Sequence, residues 1–402
     1  MAKNSSGDGP HFVIVGGGIG GLAVALSLSN AGFRSTVLER ADEFTEIGAG
    51  IQLGPNSVRA LIHLGAWEAC KKTVVFPDRL LMRDALTKEE ITQVPLGEKF
   101  TERFGLPYAV VHRADLLNSL LGECQKSDLI TLKTGQSVTV VEQGADSATV
   151  RTEDGGTYAG DGVIGCDGLW STVRPLIVDD GKPLVSGHIA YRAVLPPEEV
   201  PEHLRQQSVI LWGGPHCHLV HYPLRRGEVW NLVAVFHSDR YEEGWDAFGE
   251  KDELDKRFAG TCDDVQTMLG KIDEWKLWVL CDREPVKEWS KGRITLLGDA
   301  AHPMLQYLAQ GAGMSMEDAV CLAGCLKETG GEVVPAFAKY PTMRYLRTGR
   351  VQTMARIYGE FYHAAGVKSE LRKMVLSNRS AEATYNGMAW LYDPIPEVPA
   401  ID

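Results

Sequence analysis

Residues 11–21, HFVIVGGGIGG, constrain this chain more than any other stretch, because an all-apolar run gives way abruptly to a cluster of glycines. Residues 12–15 have the composition of a strand buried on both faces, as in parallel sheets. Gly16 permits a tight turn, Gly18 lets a ligand approach the backbone, and Gly21 lets the next helix pack close to the strand; Gly20 belongs to the same loop. Leu22, Ala25, Leu26 and Leu28 then recur at helical spacing, and Gly32 stands where a left-handed stop is expected. Residues 33–38 read as a second strand, closed by the carboxylate of Glu39 and followed by Arg40. Strand, glycine turn, helix, strand and terminal acid in this order form a dinucleotide site, with pyrophosphate on the helix amides and a ribose diol on Glu39. A glycine-rich turn in an ordinary α/β domain is the plainer reading of the glycines alone.

The chain has 402 residues, more than one domain usually holds, so two domains sharing an interface are expected. Its formal net charge of −12 and lack of a basic cluster argue against a nucleic-acid partner. The eight cysteines show no CxxC pair and no histidine grouping at zinc spacing, so no metal site is expected and a reducing, cytoplasmic setting fits best. No apolar run reaches about 18 residues and no export signal is visible, so neither a membrane span nor export is expected.

Residues 11–75 alternate short strands and helices, with Asn56 read as the cap of a helix carrying Val58, Leu61 and Ile62. Residues 128–165 read as several strands, and residues 184–283 as long β segments rich in aromatic residues. Residues 292–298, GRITLLG, return to a buried-strand pattern before helical spacing resumes at Met314. The expected architecture is α/β: a Rossmann-like dinucleotide-binding domain of residues 1–75, 102–183 and 284–365, an inserted, mostly antiparallel β-sheet domain of residues 76–101 and 184–283, and a C-terminal helical segment at 366–402.

Two further segments narrow the dinucleotide to a flavin. CDGLWSTVR, residues 166–174, and GDAAHP, residues 298–303, each follow an apolar strand. With the first glycine loop, they resemble the single-component FAD-dependent aromatic hydroxylases, salicylate hydroxylase branch, over essentially the whole chain. The resemblance implies that Asp299 meets the ribityl chain, that Arg113 in VHRADL contacts FAD, and that Asp167 has a cofactor or nicotinamide role; a helix cap, a surface arginine and a generic turn are the plainer readings. Gln310, Gly311, Ala312 and Gly313 open a long helix whose amides suit an anionic reduced flavin. The family commonly has Asn where this chain has Gly313. GAGIQLGPN, residues 48–56, resembles the flavin-adjacent loop of that branch, placing Gly50 and Ile51 beside the ring.

On the substrate side, His218, Val220 and Tyr222 share one face of an expected strand. An imidazole there can take the proton of a bound phenol, with His216 and His221 as competitors and a core histidine as the plainer role. Gln306, with His218 and Tyr222, resembles the pocket of 3-hydroxybenzoate 6-hydroxylases. Arg192, Arg225 and Arg226 are candidates for a substrate carboxylate, and Asp84 for the pocket wall. No second glycine loop is visible, so NADH or NADPH is expected to bind transiently across the FAD surface.

The resemblance implies an enzyme in which NAD(P)H reduces FAD, O2 adds at flavin carbon 4a, and the resulting hydroperoxide hydroxylates a small aromatic carboxylic acid. The leading expectation is 3-hydroxybenzoate to gentisate, with a homodimer left open. Salicylate 1-hydroxylase or 6-hydroxynicotinate 3-monooxygenase chemistry, an FAD oxidase or dehydrogenase, and a non-catalytic flavin-binding module are the alternatives.

Overall fold

A six-stranded sheet forms the centre of the computed structural model, which describes residues 9–45, 50–238, 248–377 and 379–401. Across the sheet the strands run Ser290–Lys291, Ile294–Leu296, Gly162–Gly165, His11–Val15, Arg34–Leu38 and Ile130–Lys133. All are parallel except the edge strand Ser290–Lys291. The apolar run at residues 12–15 is fully covered, whereas the edge strand Ile130–Lys133 alternates between half-buried and exposed. Burial on both faces is why the central strand is continuously apolar rather than alternating. Helix Ile19–Asn30 follows, with Gly32 in the expected left-handed conformation at its end, and packs against helix Gly311–Glu328.

The second sheet has seven strands in the order Lys276–Asp282, Leu184–Leu195, Val229–His237, Cys217–Leu224, Ser208–Gly214, Arg79–Asp84 and Glu90–Pro95. It is antiparallel except where Ser208–Gly214 meets Arg79–Asp84. One face, carrying Cys217, Leu219 and Trp212, packs on Leu254 of helix Lys251–Arg257, on Phe258 just past its end, and on Val265 and Met268 of helix Asp263–Gly270. Strand alternation sends His218, Val220 and Tyr222 to the other face. There Val220, Val233, Val235, Ala190 and Trp278 pack against Leu305, Tyr307, Ala355 and Tyr362.

The helix Val333–Tyr362, 30 residues long, joins the two sheets: Ala336 and Phe337 belong to the first core, Ala355 and Tyr362 to the cleft face of the second. Helices Val367–Leu376 and Ala381–Tyr392 complete the C-terminal segment. Among the described residues no helix is long and apolar enough to cross a membrane.

Asn56 does not cap its helix. Gly54 holds the cap position and Pro55, with its fixed φ, starts the first turn of Pro55–His63. The Asn56 side chain is buried and donates instead to Gln310 and Glu317, both at 2.8 Å, tying this helix to the start of Gly311–Glu328.

Candidate active site

The glycine loop is built so that almost no side chain could replace its hydrogens. Gly16 has φ +102°, and a Cβ there would strike the Cys166 carbonyl; a Cβ on Gly21 would strike the Gly16 carbonyl. Gly18 caps the helix, and Gly20 lies in its first turn. Glu39 sits at the end of the second strand, where Oε2 accepts from the Gly17 amide at 2.7 Å and Oε1 from the Ala41 amide at 2.9 Å. A carboxylate has about four acceptor positions, so both oxygens keep capacity for a ribose diol while they fix the loop. Arg40 is exposed beside it.

The two later motifs lock onto each other. Asp167 accepts from the Ser171 hydroxyl at 2.6 Å and from the amides of Thr172 and Val173, so its side chain shapes the turn and its backbone faces Gly16. Burial raises the Asp167 pKa, and these donors oppose that rise. Arg174, buried at the end of the turn, donates to the carbonyls of Ala300 and Ala301 at 2.8 and 2.6 Å. CDGLWSTVR therefore holds GDAAHP in place. From the other side, Asp318 accepts from the Gly298 amide at 3.2 Å and bonds His302 at 2.6 Å. No local pattern marks Arg174 for this role, because its partners are carbonyls 126 and 127 residues away.

Asp299 on that turn is exposed, yet enough protein surrounds it that desolvation raises its pKa, against the pull of Arg113 and His302. Its carboxylate is thus solvent-accessible yet crowded by protein, as on the wall of a cleft. Among the described residues no group donates a hydrogen bond to its carboxylate. A Cβ on Gly311 would lie 3.7 Å from Asp299 Oδ1, so the half-buried amide end of helix Gly311–Glu328, Gly311 and Ala312, adjoins it. Gly313 is buried, and any side chain there would meet Ser57 Oγ and Gln310 Oε1. That crowding is the physical reason an asparagine is not accommodated.

Gly50 and Ile51 form part of a short strand, Gly50–Leu53, paired with Ala109–His112, which leads directly into Arg113 at the start of the next helix. Gly48 and Ala49 lie outside the described residues. The Gly50 amide donates to Asn231 Oδ1 at 3.0 Å, and a Cβ on Gly50 would collide with the Tyr222 ring and hydroxyl. The structure thus brings Arg113, Gly50, Ile51 and Tyr222 to the same wall as Asp299.

Gln306 joins this group through Arg192, whose Nη2 donates to Gln306 Oε1. Arg192 lies on the cleft face, with its guanidinium 5.3 Å from the centre of the Trp278 ring. Desolvation, then Arg113, lowers its pKa to about 10, and Tyr222 opposes them. No acidic side chain pairs with it among the described residues. Of the other candidates, Arg225 pairs with Asp115 at 2.9 Å, Arg226 is exposed, and Asp84 accepts from the Leu86 and Thr87 amides while facing Arg372 and Lys373.

His218 shares the face of Tyr222, as its spacing requires, but bonds a residue to which no local pattern points. Its Nδ1 lies 2.7 Å from His363 Nε2, at the end of the long C-terminal helix, and Tyr307 and Tyr362 pack around it. Burial, then His188, pushes the His218 pKa down to about 3, so the ring is neutral at pH 7. His221 points to the opposite face and accepts from Trp212 Nε1 at 3.1 Å, which removes it as a competitor.

Comparison with known proteins agrees with this geometry. A family model for an FAD binding domain matches residues 11–332. The chain belongs to the single-component FAD-dependent aromatic hydroxylases. It is 44% identical over 380 residues to the 3-hydroxybenzoate 6-hydroxylase of Klebsiella oxytoca, covering 94% of this chain and 96% of that one. It is 45% identical over 385 residues to 3-hydroxybenzoate 6-hydroxylase 1 of Aquipseudomonas alcaligenes, covering 95% and 97%. Among solved structures, Klebsiella pneumoniae HpxO complexed with FAD and uric acid superposes with a TM-score of 0.84 at 26% identity, over 96% of this chain and 97% of that one. A salicylate hydroxylase substrate complex superposes at 0.79 and 26%, over 95% and 98%. This enzyme is an FAD-dependent monooxygenase. Its cleft fits the cofactor: Gly16 and Gly21 admit no Cβ, and Asp299 offers a carboxylate with no hydrogen-bond donor among the described residues beside a helix start.

Proposed function

We propose that the enzyme hydroxylates 3-hydroxybenzoate para to its hydroxyl, giving gentisate, with NADH or NADPH as reductant. The observation that carries this reading is Arg192, a cation on the cleft face joined to a neutral amide, Gln306, rather than to an acid. A buried guanidinium without a carboxylate partner is suited to a substrate that brings one. The names of the two relatives at 44% and 45% identity support the same substrate.

FAD, once reduced and exposed to O2, supplies the electrophilic oxygen. Gly16, Gly18, Gly20, Gly21, Glu39 and Arg40 hold its adenosine diphosphate end, with Asp167 closing the loop. Arg113, Asp299, Gly50, Ile51, Gly311, Ala312 and Gly313 hold the ribityl and ring end. Arg192 binds the substrate carboxylate, and Gln306, fixed by that arginine, turns its amide nitrogen toward the phenolic oxygen. Tyr222 positions the ring, and His218 removes the phenolic proton so that the arene becomes electron-rich at the para carbon. The cleft excludes water during the transfer.

We take the discontinuous division at residues 75/76, 101/102, 183/184, 283/284 and 365/366 as the working domain boundaries. The eight cysteines, scattered without a CxxC pair, support a reducing, cytoplasmic setting.

A panel of hydroxybenzoates and 6-hydroxynicotinate, followed by NADH oxidation and product identification, tests the reading. Gentisate from 3-hydroxybenzoate is expected; catechol from salicylate as the main product contradicts it. His218→Ala should lose roughly 100-fold or more in coupled turnover while NADH oxidation continues, and unchanged product yield per NADH would remove His218 from the mechanism.

A further inference from the structure

Five of the 11 histidines, His188, His216, His218, His237 and His363, gather at one end of the cleft face, and three of them form a continuous chain. His218 Nδ1 lies 2.7 Å from His363 Nε2, and His363 Nδ1 lies 3.0 Å from His237 Nε2. His363, only 3% exposed, thus uses both ring nitrogens to connect its neighbours. His237 lines a solvent-open cavity of about 340 Å³ together with His216, Glu360 and Lys368. His218 Nε2 has no protein hydrogen-bond partner among the described residues.

We propose that His218, His363 and His237 form a proton wire that carries the substrate's phenolic proton out of the closed cleft to this cavity and returns a proton after hydroxylation. The proposal rests on the hydroxybenzoate reading above. With each resting ring protonated on Nδ1, the phenol O–H breaks as an N–H forms at His218 Nε2. The His218 Nδ1 proton passes to His363 Nε2, the His363 Nδ1 proton to His237 Nε2, and the His237 Nδ1 proton to water in the cavity. One proton enters, one leaves, and no electrons are exchanged. The reverse sequence protonates the product oxygen and restores every tautomer.

The surroundings explain why a wire is needed. Burial, then the neighbouring ring of His188, depresses His218; burial and the rings of His218, His188, His237 and His216 hold His363 well below the ordinary imidazole range. Rings that hold a charge so poorly must pass the proton on. Around them, His188 stacks on His237 at 4.3 Å and bonds the Tyr307 hydroxyl at 2.6 Å, Tyr307 and Tyr362 flank His218, and His216 meets His237 edge-on. Among the described residues, Glu360, Lys368 and Arg257 are the charged groups near His237, and of these Glu360 favours a proton there.

The test mixes FAD-loaded enzyme with 3-hydroxybenzoate, without NADH, in weak buffer with a pH-indicator dye, while flavin absorbance reports binding. The wild type should release about one proton per site. In His363→Gln and in His237→Ala the substrate should still perturb the flavin, but release should slow by roughly tenfold or more. Added imidazole should restore release in His237→Ala, whose site opens on the cavity. Wild-type release rates in both variants, or binding without release in the wild type, would overturn the wire. A wild-type flavin spectrum indifferent to 3-hydroxybenzoate would overturn the substrate reading itself.

Discussion

Two buried polar clusters flank the cleft and solve the same electrostatic problem in opposite ways. Around Asp318, charges are kept and paired: Arg344 contacts Asp318 at 2.7 Å and Glu317 at 2.9 Å, Arg347 contacts Glu317 at 2.7 Å, and His302 bonds Asp318 at 2.6 Å. Burial pushes the Asp318 pKa up, but His302 and Arg344 outweigh it and hold the carboxyl at about 2. Around His363, charge is avoided and the rings stay neutral, joined by hydrogen bonds. A locked ion cluster suits a turn that must hold a cofactor in one geometry. Neutral rings suit a path on which a proton must not rest.

The contrast is broken most severely at Arg344. Arg344→Met leaves Glu317 and Asp318 without their shared cation, and should cost about 3–5 kcal/mol of unfolding free energy, read by denaturant titration. His363→Gln should cost much less, because no charge is stranded; equal losses would erase the distinction.

Arg192 sharpens the comparison from within the cleft, as a cation on the substrate face with no acid beside it among the described residues. Arg192→Met should weaken substrate binding by about 1.5–3 kcal/mol, roughly 10- to 150-fold in KM, with a smaller change in kcat. Arg225→Gln, which only opens a half-exposed pair with Asp115, should leave KM nearly unchanged.

Acid titration of stability separates the clusters by pH window. His218 and His188 have folded pKa values depressed to about 3 and 4 from 6.5, so their contribution is complete above 6.5 and falls as pH drops toward those values. The slope is about 1.4 kcal/mol per pH unit for each ring. Asp318 contributes fully above 3.8 and loses about 2 kcal/mol only as pH falls toward 2. Unfolding free energy measured against pH, in wild type and in His218→Phe, should show the variant flattening the window between 6.5 and about 3. A slope in that window unchanged by the substitution would contradict the neutral-ring description.

What could be read from the sequence was local. The glycine loop, Glu39, GDAAHP and the alternation of His218, Val220 and Tyr222 declare themselves within a few residues, because a strand end and a tight turn impose their own residue types. Relations set by packing over long distances could not be read. His363 lies 145 residues from its partner His218, Arg192 lies 114 from Gln306, and Asn56 lies 254 from Gln310. A lone histidine at the end of a long helix gives no signal until the helix Val333–Tyr362 crosses from one sheet to the other. Asn56 misled because an asparagine after glycine and proline is a good cap by type, and only the tertiary partner shows its other use.

The central claim, that this cleft places reduced flavin and oxygen chemistry over a deprotonated hydroxybenzoate, is tested most directly with labelled oxygen. Enzyme, NADH, 3-hydroxybenzoate and 18O2 should give gentisate carrying one labelled oxygen, in step with NADH consumed. NADH oxidation that yields only hydrogen peroxide, or a hydroxylated ring whose new oxygen is unlabelled, would contradict it.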